Sequence, residues 1–187
     1  KETAQYLKNT FSTTRNGVFN IFYAFIEYAM SFLGSSGLLG YIIPNNFLTI
    51  KSALALREYL QVRKLPKRIL DFGNNMVFKP IRTYNCIIIL SNHNNNEFEY
   101  CVMEKVEDVR QRLSTISFEK MPYDYLDKRG WKLVDQVTFR NLRKIESQIV
   151  SIKEFIRTGI ATLRDSVYLV ECDQRGYFKQ IGTQKFY

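Results

Sequence analysis

The amino-acid sequence predicts an α/β fold, in particular the second half of a doubly wound sheet that closes with a reversed strand. Two observations support this prediction. Stretches with apolar residues at three- and four-residue steps alternate with continuous apolar or β-branched runs, as expected where helices alternate with buried strands. The last two strand-like runs are joined by an asparagine-rich turn, which is typical of an antiparallel hairpin. No opening strand–helix–strand unit precedes these elements, so only the later part of such a sheet is expected.

The first predicted helix extends from Phe19 to Leu33. Apolar residues recur along it at three- and four-residue steps, and this face is expected to be buried: Phe22, Phe25, Ile26, Ala29 and Leu33. Gly34 is expected to end the helix. The polar residues 1–17 ahead of it are predicted to be irregular.

The next two elements are a strand and a helix. The apolar run from Leu38 to Ile43, stopped by Pro44, is typical of a strand covered on both faces of a parallel sheet. A second helix is predicted from about Ser52 to Val62, with three residues facing inward: Ala53, Leu56 and Leu60.

Three further strands complete the predicted sheet. A short strand from Ile69 to Phe72 is followed by a turn at residues 73–75. The runs from Thr83 to Leu90 and from Phe98 to Met103 flank the asparagine-rich turn and form the predicted hairpin. Beyond it, a charged helical stretch to about Leu113 leads into a segment with a looser pattern.

Composition indicates a folded chain with a polyanionic partner. Hydrophobic residues make up 45% of the 187 residues and aromatic residues 14%, which is enough for a packed core and excludes general disorder. The net charge of +9 favours nucleic acid as the partner. No apolar run reaches the roughly 20 residues that a membrane span needs, so no membrane contact is expected.

The cysteines and the histidine argue against disulfide and metal chemistry. Cys86, Cys101 and Cys172 are odd in number and unrelated in spacing, so we expect a reducing cytoplasmic location and no disulfide framework. His93 is the single histidine and has no cysteine pair nearby, which favours a solvated turn residue over a metal ligand. Because the chain begins at Lys1, we expect a processed protein or a piece of a longer one.

Five sequence blocks carry a resemblance to a known family. They read NIFYAFIE at residues 20–27, GLLGYIIPNNFL at 37–48, LREYL at 56–60, ILDFG at 69–73 with VF at 77–78, and TYNCIIIL at 83–90. In this order they resemble the later motifs of adenine-specific, amino-methylating DNA methyltransferases of restriction–modification systems. The most similar subgroup places target recognition last and includes type IIG enzymes that fuse methylase and nuclease.

A looser string resembles the opening of that family's target-recognition domain. It reads IRTGIAT at residues 156–162 and continues to VYLV at 167–170. The resemblance therefore implies three parts: the C-terminal half of a Rossmann-like methyltransferase sheet at residues 1–104, a linker at 105–130, and the start of a target-recognition domain at 131–187.

The resemblance also implies an activity. Such enzymes transfer a methyl group from S-adenosylmethionine to the exocyclic amine of an adenine flipped out of double-stranded DNA. Two family features do not occur in this sequence: the glycine-rich cofactor loop and the Asn/Asp-Pro-Pro-Tyr/Phe tetrapeptide that binds the target amine. We therefore expect no catalytic residue in this piece and no methyl transfer by it alone.

The resemblance implies roles for two aromatic rings. Phe78 corresponds to the ring that stacks on the flipped base, and the alternative is that Phe78 fills the core. Phe25 corresponds to a ring that lines the adenine pocket of the cofactor. For Phe25, burial on the apolar helix face is an equally good interpretation.

Five polar residues are predicted to contact DNA. Lys79 and Arg82 flank Phe78 and would neutralise phosphates beside the flipped nucleotide, although most such charges are simply solvated. Arg157, Thr158 and Arg164 are the predicted contacts from the recognition domain.

Two alternatives remain open from the sequence. One is a methyltransferase of similar fold that acts on RNA or protein, because the fold does not fix the substrate. The other is a DNA-binding specificity module without its own catalysis. A nuclease domain or subunit of the same system is a further expected partner.

Overall fold

The computed structural model describes residues 2–15, 17–78, 83–93, 95–103 and 115–148. Residues Lys1–Arg143 form one compact unit and Lys144–Tyr187 form a second. The described helices are α1 Glu2–Thr10, α2 Ile21–Ser31, α3 Leu54–Val62 and α4 Gln136–Glu146. The described strands are β1 Leu38–Pro44, β2 Pro66–Asp71, β3 Asn85–Ser91, β4 Glu97–Val102 and β5 Glu119–Pro122. In this part of the chain no helix has the length and apolar character to cross a membrane.

The five strands form one mixed sheet in the order β1-β3-β2-β4-β5. β3 runs antiparallel to both β1 and β2, β4 is parallel to β2, and β5 is antiparallel to β4. Consequently β1, β2 and β4 all run in one direction. The predicted α/β class and the predicted reversed strand are confirmed.

The predicted hairpin is wrong in its pairing. β3 does not pair with β4, which follows it in sequence, but lies between β1 and β2. Its residues are buried on both faces of the sheet, as a central position requires. β4 instead pairs in parallel with β2, from Arg68 opposite Glu99 to Asp71 opposite Val102. Strand pairing depends on contacts distant in sequence, and the asparagine-rich turn did not reveal them.

β1 is a strand as predicted, but its environment differs from the prediction. Among the described strands it lies at the edge of the sheet and pairs only with β3. Leu38 and Ile42 are 56% and 45% exposed. A continuous apolar run therefore marked the strand correctly, while coverage on both faces is not present in the described unit.

The two central helices were predicted with different success. Of the residues predicted to face inward, Ala53 immediately precedes α3 and Leu56 and Leu60 lie in it, and all three are fully buried. In α2, the buried residues are Tyr23, Ala24, Ile26 and Met30. Phe25, predicted on the buried face, is 51% exposed. The helix is therefore rotated from the predicted orientation, and it ends at Ser31 rather than at Gly34.

The N-terminal residues are helical, contrary to the prediction of an irregular segment. α1 contains no buried residue, so it has no apolar stripe that would reveal it in the sequence. A 3-10 turn at Ser12–Thr14 follows and carries two buried threonines. The carboxylate of Glu27 in α2 accepts hydrogen bonds from the backbone N–H groups of Ser12 and Thr13 at 3.1 and 2.8 Å. This contact ties the segment to α2.

The described residues after β4 continue the packing around the sheet. Part of the predicted linker forms β5 and a 3-10 turn, Tyr123–Tyr125, with buried tyrosines. Trp131, predicted to open the next domain, is 2% exposed and packs edge-on against Phe47 with ring centroids 5.7 Å apart. These residues belong to the unit that ends at Arg143. The charged helical stretch predicted to reach Leu113 lies outside the described residues.

The core lies on both faces of the sheet. Alternate residues of a strand point to opposite faces, so Ile69 and Ile88 join a large cluster that includes α2 and α3, while Leu70 lies in a smaller one. The smaller cluster contains Phe72 and Met103 and is covered by partly buried residues such as Val77.

Candidate functional site

Three strands end at the same edge of the sheet. Because β1, β2 and β4 run in one direction, their last residues, Pro44, Asp71 and Val102, lie at a common carboxyl edge. In open α/β sheets this edge is where ligands bind. The segments that leave these strands therefore form the candidate site.

Asp71 is the centre of a polar network at this edge. Its side chain is buried at 8% exposure. One carboxylate oxygen accepts from the Asn45 amide at 2.8 Å and from the Gly73 backbone N–H at 2.9 Å. The other accepts from the Tyr100 hydroxyl at 3.4 Å. Asp71 thus links the ends of β1 and β2 to a residue of β4.

Burial determines the protonation of two neighbours of Asp71. Burial raises the pKa of the Cys86 thiol, and the charge of Asp71 raises it further. Burial, followed by the charge of Asp71 and the hydrogen bond to it, raises the pKa of the Tyr100 hydroxyl. Both groups are therefore protonated at neutral pH, and Tyr100 is available as a donor to the carboxylate.

A second asparagine holds the loop that follows β2. The Asn75 amide donates to the carbonyl oxygens of Phe72 and Met103 at 2.9 and 3.0 Å. Gly73, between Phe72 and Asn75, adopts a left-handed conformation with φ of +54°, which residues other than glycine disfavour. The first turn of the loop is therefore fixed to the ends of β2 and β4.

Phe78 lies at the end of the described part of this loop. Val77 packs on the Leu70 and Phe72 cluster, whereas the next residue, Phe78, is 46% exposed. The ring therefore does not fill the core. Three other large apolar residues that flank the strand ends at this edge are also substantially exposed: Ile50, Met76 and Tyr84.

The predicted charged contacts are not placed by the structure. Lys79 and Arg82, next to Phe78, lie outside the described residues. Arg157, Thr158 and Arg164 lie outside them as well. Within the described ranges, no group of three or more histidine, cysteine or acidic side chains has an arrangement that holds a metal ion.

Phe25 lies on the outer face of α2. With Ile21, Tyr28 and Phe32 it forms a row at four- and three-residue steps, and these four side chains are 49 to 72% exposed. The interpretation that Phe25 packs in the core is thus wrong. Its ring is available for contact with another molecule or another part of the protein.

The polar network was missed in the sequence. No role at the site was predicted for Asp71, Asn45 or Asn75. One local signal was present, because an aspartate two residues before a glycine favours a turn in which its side chain accepts from the glycine N–H. The bond from Asn45 spans 26 residues and has no local signal.

Comparison with known sequences gives a match to one family. Residues 1–78 match the Eco57I restriction-modification methylase family. The type II restriction enzyme and methyltransferase RM.Eco57I of Escherichia coli is 26% identical over 159 residues, which are 81% of this chain and 16% of that protein. A glutamyl-tRNA reductase of Sulfolobus acidocaldarius is 30% identical over 99 residues, which are 52% of this chain and 23% of that protein.

Three solved structures share the fold. The type IIG restriction endonuclease BpuSI superimposes with a TM-score of 0.53 and 15% identity over 79% of this chain. A nuclease-deletion mutant of the type ISP enzyme LlaGI, in complex with a DNA substrate mimic, has a TM-score of 0.52 and 15% identity over 74%. A DrdV–DNA complex has a TM-score of 0.51 and 13% identity over 73%.

The chain spans only a small part of these proteins: 16% of the Escherichia coli relative, and 20%, 14% and 16% of the three solved chains. The structural likeness confirms the predicted α/β fold, which here is a mixed five-stranded sheet. The first 78 residues, which include α2, α3, Asn45, Asp71 and Phe78, carry the sequence match to restriction-modification methylases.

Proposed function

We propose that this chain is the later part of the catalytic domain of a site-specific DNA methyltransferase of a restriction–modification system. The complete enzyme transfers a methyl group from S-adenosylmethionine to the exocyclic amine of adenine. The family match over residues 1–78 and the relative RM.Eco57I support the reaction class. Adenine as the target is supported by the resemblance of the five sequence blocks.

One observation carries the proposal at the level of the site. Phe78 is a half-exposed ring on an anchored loop at the carboxyl edge of the sheet. A base amine inside a duplex is inaccessible, so an enzyme must extrude the base and hold it, and an aromatic ring does so by stacking. Phe78 is proposed to stack on the extruded adenine.

The exposed face of α2 fits a role in binding the cofactor. An adenine ring needs an accessible apolar surface, and Phe25 with Ile21 offers one on α2. S-adenosylmethionine would supply the electrophilic methyl group. The chain contains neither the family's glycine-rich loop nor its catalytic tetrapeptide, so we propose that it transfers no methyl group by itself.

Double-stranded DNA is the proposed partner. The net charge of +9 favours a polyanion, and the similar LlaGI and DrdV structures were determined with a DNA substrate mimic and with DNA. Lys79 and Arg82 are proposed to contact phosphates beside the extruded nucleotide, and Arg157, Thr158 and Arg164 to act in recognition. A nuclease of the same system remains a proposed partner.

The reaction is tested by mapping methylated adenines in DNA from cells that express the complete open reading frame containing this chain. We expect N6-methyladenine in one short recurring sequence and none there in cells with an empty vector. If the protein is soluble but the DNA is unmodified, the proposal is wrong. A DNA-binding module would then bind duplex DNA with an affinity that falls steeply with salt, whereas absence of DNA binding would favour an RNA or protein methyltransferase.

The role of Phe78 is tested by Phe78→Ala in the complete enzyme. Since base–aromatic stacking contributes about 1–3 kcal/mol, methyl transfer should slow by about 5- to 150-fold. Affinity for S-adenosylmethionine, measured by calorimetry, should not change.

Val62→Ala is the control for Phe78→Ala. Val62 is also an exposed apolar residue, but it ends α3 ahead of the amino end of β2 and so lies away from the carboxyl edge. We expect Val62→Ala to methylate DNA at the wild-type rate. Unchanged turnover of Phe78→Ala would remove Phe78 from the site.

A further inference from the structure

We infer that Asn45 and Asp71 are positioning residues that hold the loop carrying Phe78 in the geometry needed to receive an extruded base. The inference rests on the proposed function and adds two residues to it. Neither residue is proposed to touch the base or the cofactor. Both are proposed to act through the loop.

The first step is that Asn45 bridges two strand ends. Its amide donates to Asp71 Oδ1 at 2.8 Å and to the Gly73 carbonyl oxygen at 3.0 Å. Its backbone N–H donates to the carbonyl oxygen of Tyr84, at the far end of the same loop, at 2.9 Å. One residue at the end of β1 therefore contacts the loop both where it leaves β2 and just before it enters β3.

The second step is that Asp71 fixes the start of the loop. Its Oδ1 accepts from the Gly73 N–H and from Asn45, so Gly73 is held from both its N–H and its carbonyl group. Asn75 and Val77 provide the next anchors. Phe78 follows directly, and its backbone direction is set by these contacts although its ring is half exposed.

A misplaced Phe78 ring would slow the reaction. Groups that react must be held close to their productive geometry, and a shift of about 1 Å costs up to about a hundredfold in rate. When Asn45 is replaced, Asp71 and Gly73 each lose a hydrogen-bond donor at the base of the loop. The expected consequence is a ring that is present but less well placed.

Asn95 provides a matched control at the opposite edge of the sheet. Its amide also donates two hydrogen bonds, to the Lys64 carbonyl oxygen at 2.9 Å and to Ser91 Oγ at 3.1 Å. Asn95, like Asn45, is partly buried and bonds to a residue that is distant in sequence, since Lys64 lies 31 positions before it. Lys64 precedes the amino end of β2, so Asn95 holds nothing near Phe78.

The experiment compares Asn45→Ala with Asn95→Ala in the complete enzyme, on duplex DNA with the methylated sequence found by mapping. We expect Asn45→Ala to lower kcat by between about tenfold and about a hundredfold, with the Kd for S-adenosylmethionine unchanged. The fluorescence of 2-aminopurine at the target position, which reports base extrusion, should rise less than with the wild type. Asn95→Ala should match the wild type in both measurements.

Substitutions of Asp71 separate positioning from charge. Asp71→Asn retains an oxygen that accepts from Asn45 and Gly73, so it should retain more activity than Asp71→Ala.

Equal losses of kcat and of thermal stability in Asn45→Ala and Asn95→Ala would overturn the inference, because the bonds would then matter only for folding. Wild-type turnover and fluorescence in Asn45→Ala would also overturn it. A wild-type enzyme that methylates no DNA would instead overturn the proposed function.

Discussion

Two of the polar ties between distant segments of the unit differ in what they hold. Arg57, in α3, is fully buried and donates to four backbone carbonyl oxygens at 2.5 to 3.1 Å. These acceptors belong to Phe47, Ile50, Lys128 and Arg129. The tie formed by Asn45 and Asp71 holds the base of a loop whose last described residue, Phe78, is half exposed.

The Arg57 tie supports folding, whereas the tie formed by Asn45 and Asp71 supports a site. Arg57 joins the segment after β1 to the segment after β5, and Trp131 and Phe47 pack beside it in the core. This tie joins two segments of the unit through a fully buried side chain. The Asp71 tie ends in an exposed ring, which adds little to folding but is available to another molecule.

The largest expected effect comes from Arg57→Ala. Burial lowers the pKa of Arg57, and Tyr23 and Asp127 act to raise it, but a guanidinium remains charged at neutral pH. Its removal takes the donor from four carbonyl oxygens, of which the Phe47 oxygen is in a buried contact and the other three in part-buried ones. A buried oxygen without a donor costs about 1–3 kcal/mol, and water reaches the part-buried ones more easily. We expect the free energy of unfolding in urea to fall by at least about 3 kcal/mol.

Arg63→Ala is the control for this effect. Arg63 is exposed and lies 4.3 Å above the ring of Tyr59, an interaction of about 0.5–1 kcal/mol at such a site. Its removal should therefore lower stability by about 1 kcal/mol or less. Similar losses of unfolding free energy in Arg57→Ala and Arg63→Ala would show that the buried Arg57 hydrogen bonds stabilise the fold no more than an exposed cation–π contact does.

A smaller effect is expected from Glu27→Gln, which weakens a third tie. The Glu27 carboxylate accepts from Ser12 N–H, Ser12 Oγ and Thr13 N–H at 2.8 to 3.1 Å and so acts as a cap for the 3-10 turn. An amide presents only one acceptor oxygen to these donors. The loss should be about 1–2 kcal/mol at neutral pH, as for a helix cap.

The pH dependence identifies the carboxylate as the source of this stability. Burial acts to raise the pKa of Glu27, but donors from Thr13 and Ser12 outweigh it and lower the pKa below its ordinary value of 4.5. A carboxylate whose pKa is lower in the folded state than in the unfolded state stabilises the fold. This stabilisation is fully present above the pKa of the unfolded state and is lost as pH falls through the pKa of the folded state. The gap between wild type and Glu27→Gln should therefore narrow below about pH 4.5. A gap that stays constant to pH 3 would contradict this account.

Local patterns predicted local structure well. The spacing of Ala53, Leu56 and Leu60 identified both α3 and its buried face, since a helix brings residues three and four apart together. The β-branched run from Thr83 to Leu90 identified β3 within two residues at each end. Neither prediction needed knowledge of any other part of the chain.

Features that depend on distant partners were not predicted. The position of β3 between β1 and β2 requires knowledge of three strands at once. The exposure of Phe25 depends on which side of an apolar helix meets the sheet, and α2 has apolar residues on more than one side. The ties made by Asn45 and Arg57 join residues 26 and up to 72 positions apart. Sequence spacing carries no information at that range.

The smallest expected effect on stability comes from Phe78→Ala. This variant tests whether the tie formed by Asn45 and Asp71 ends in a ring that contributes little to folding. Phe72, six residues earlier, is 1% exposed, whereas Phe78 is 46% exposed. Replacing a buried phenylalanine by alanine costs about 3–5 kcal/mol. We expect that loss for Phe72→Ala, and less than about 1 kcal/mol for Phe78→Ala, since exposed positions are tolerant. Urea unfolding of both variants measures the difference. If Phe78→Ala lost as much as Phe72→Ala, the ring would belong to the core, and the distinction between a tie for folding and a tie for a site would fail.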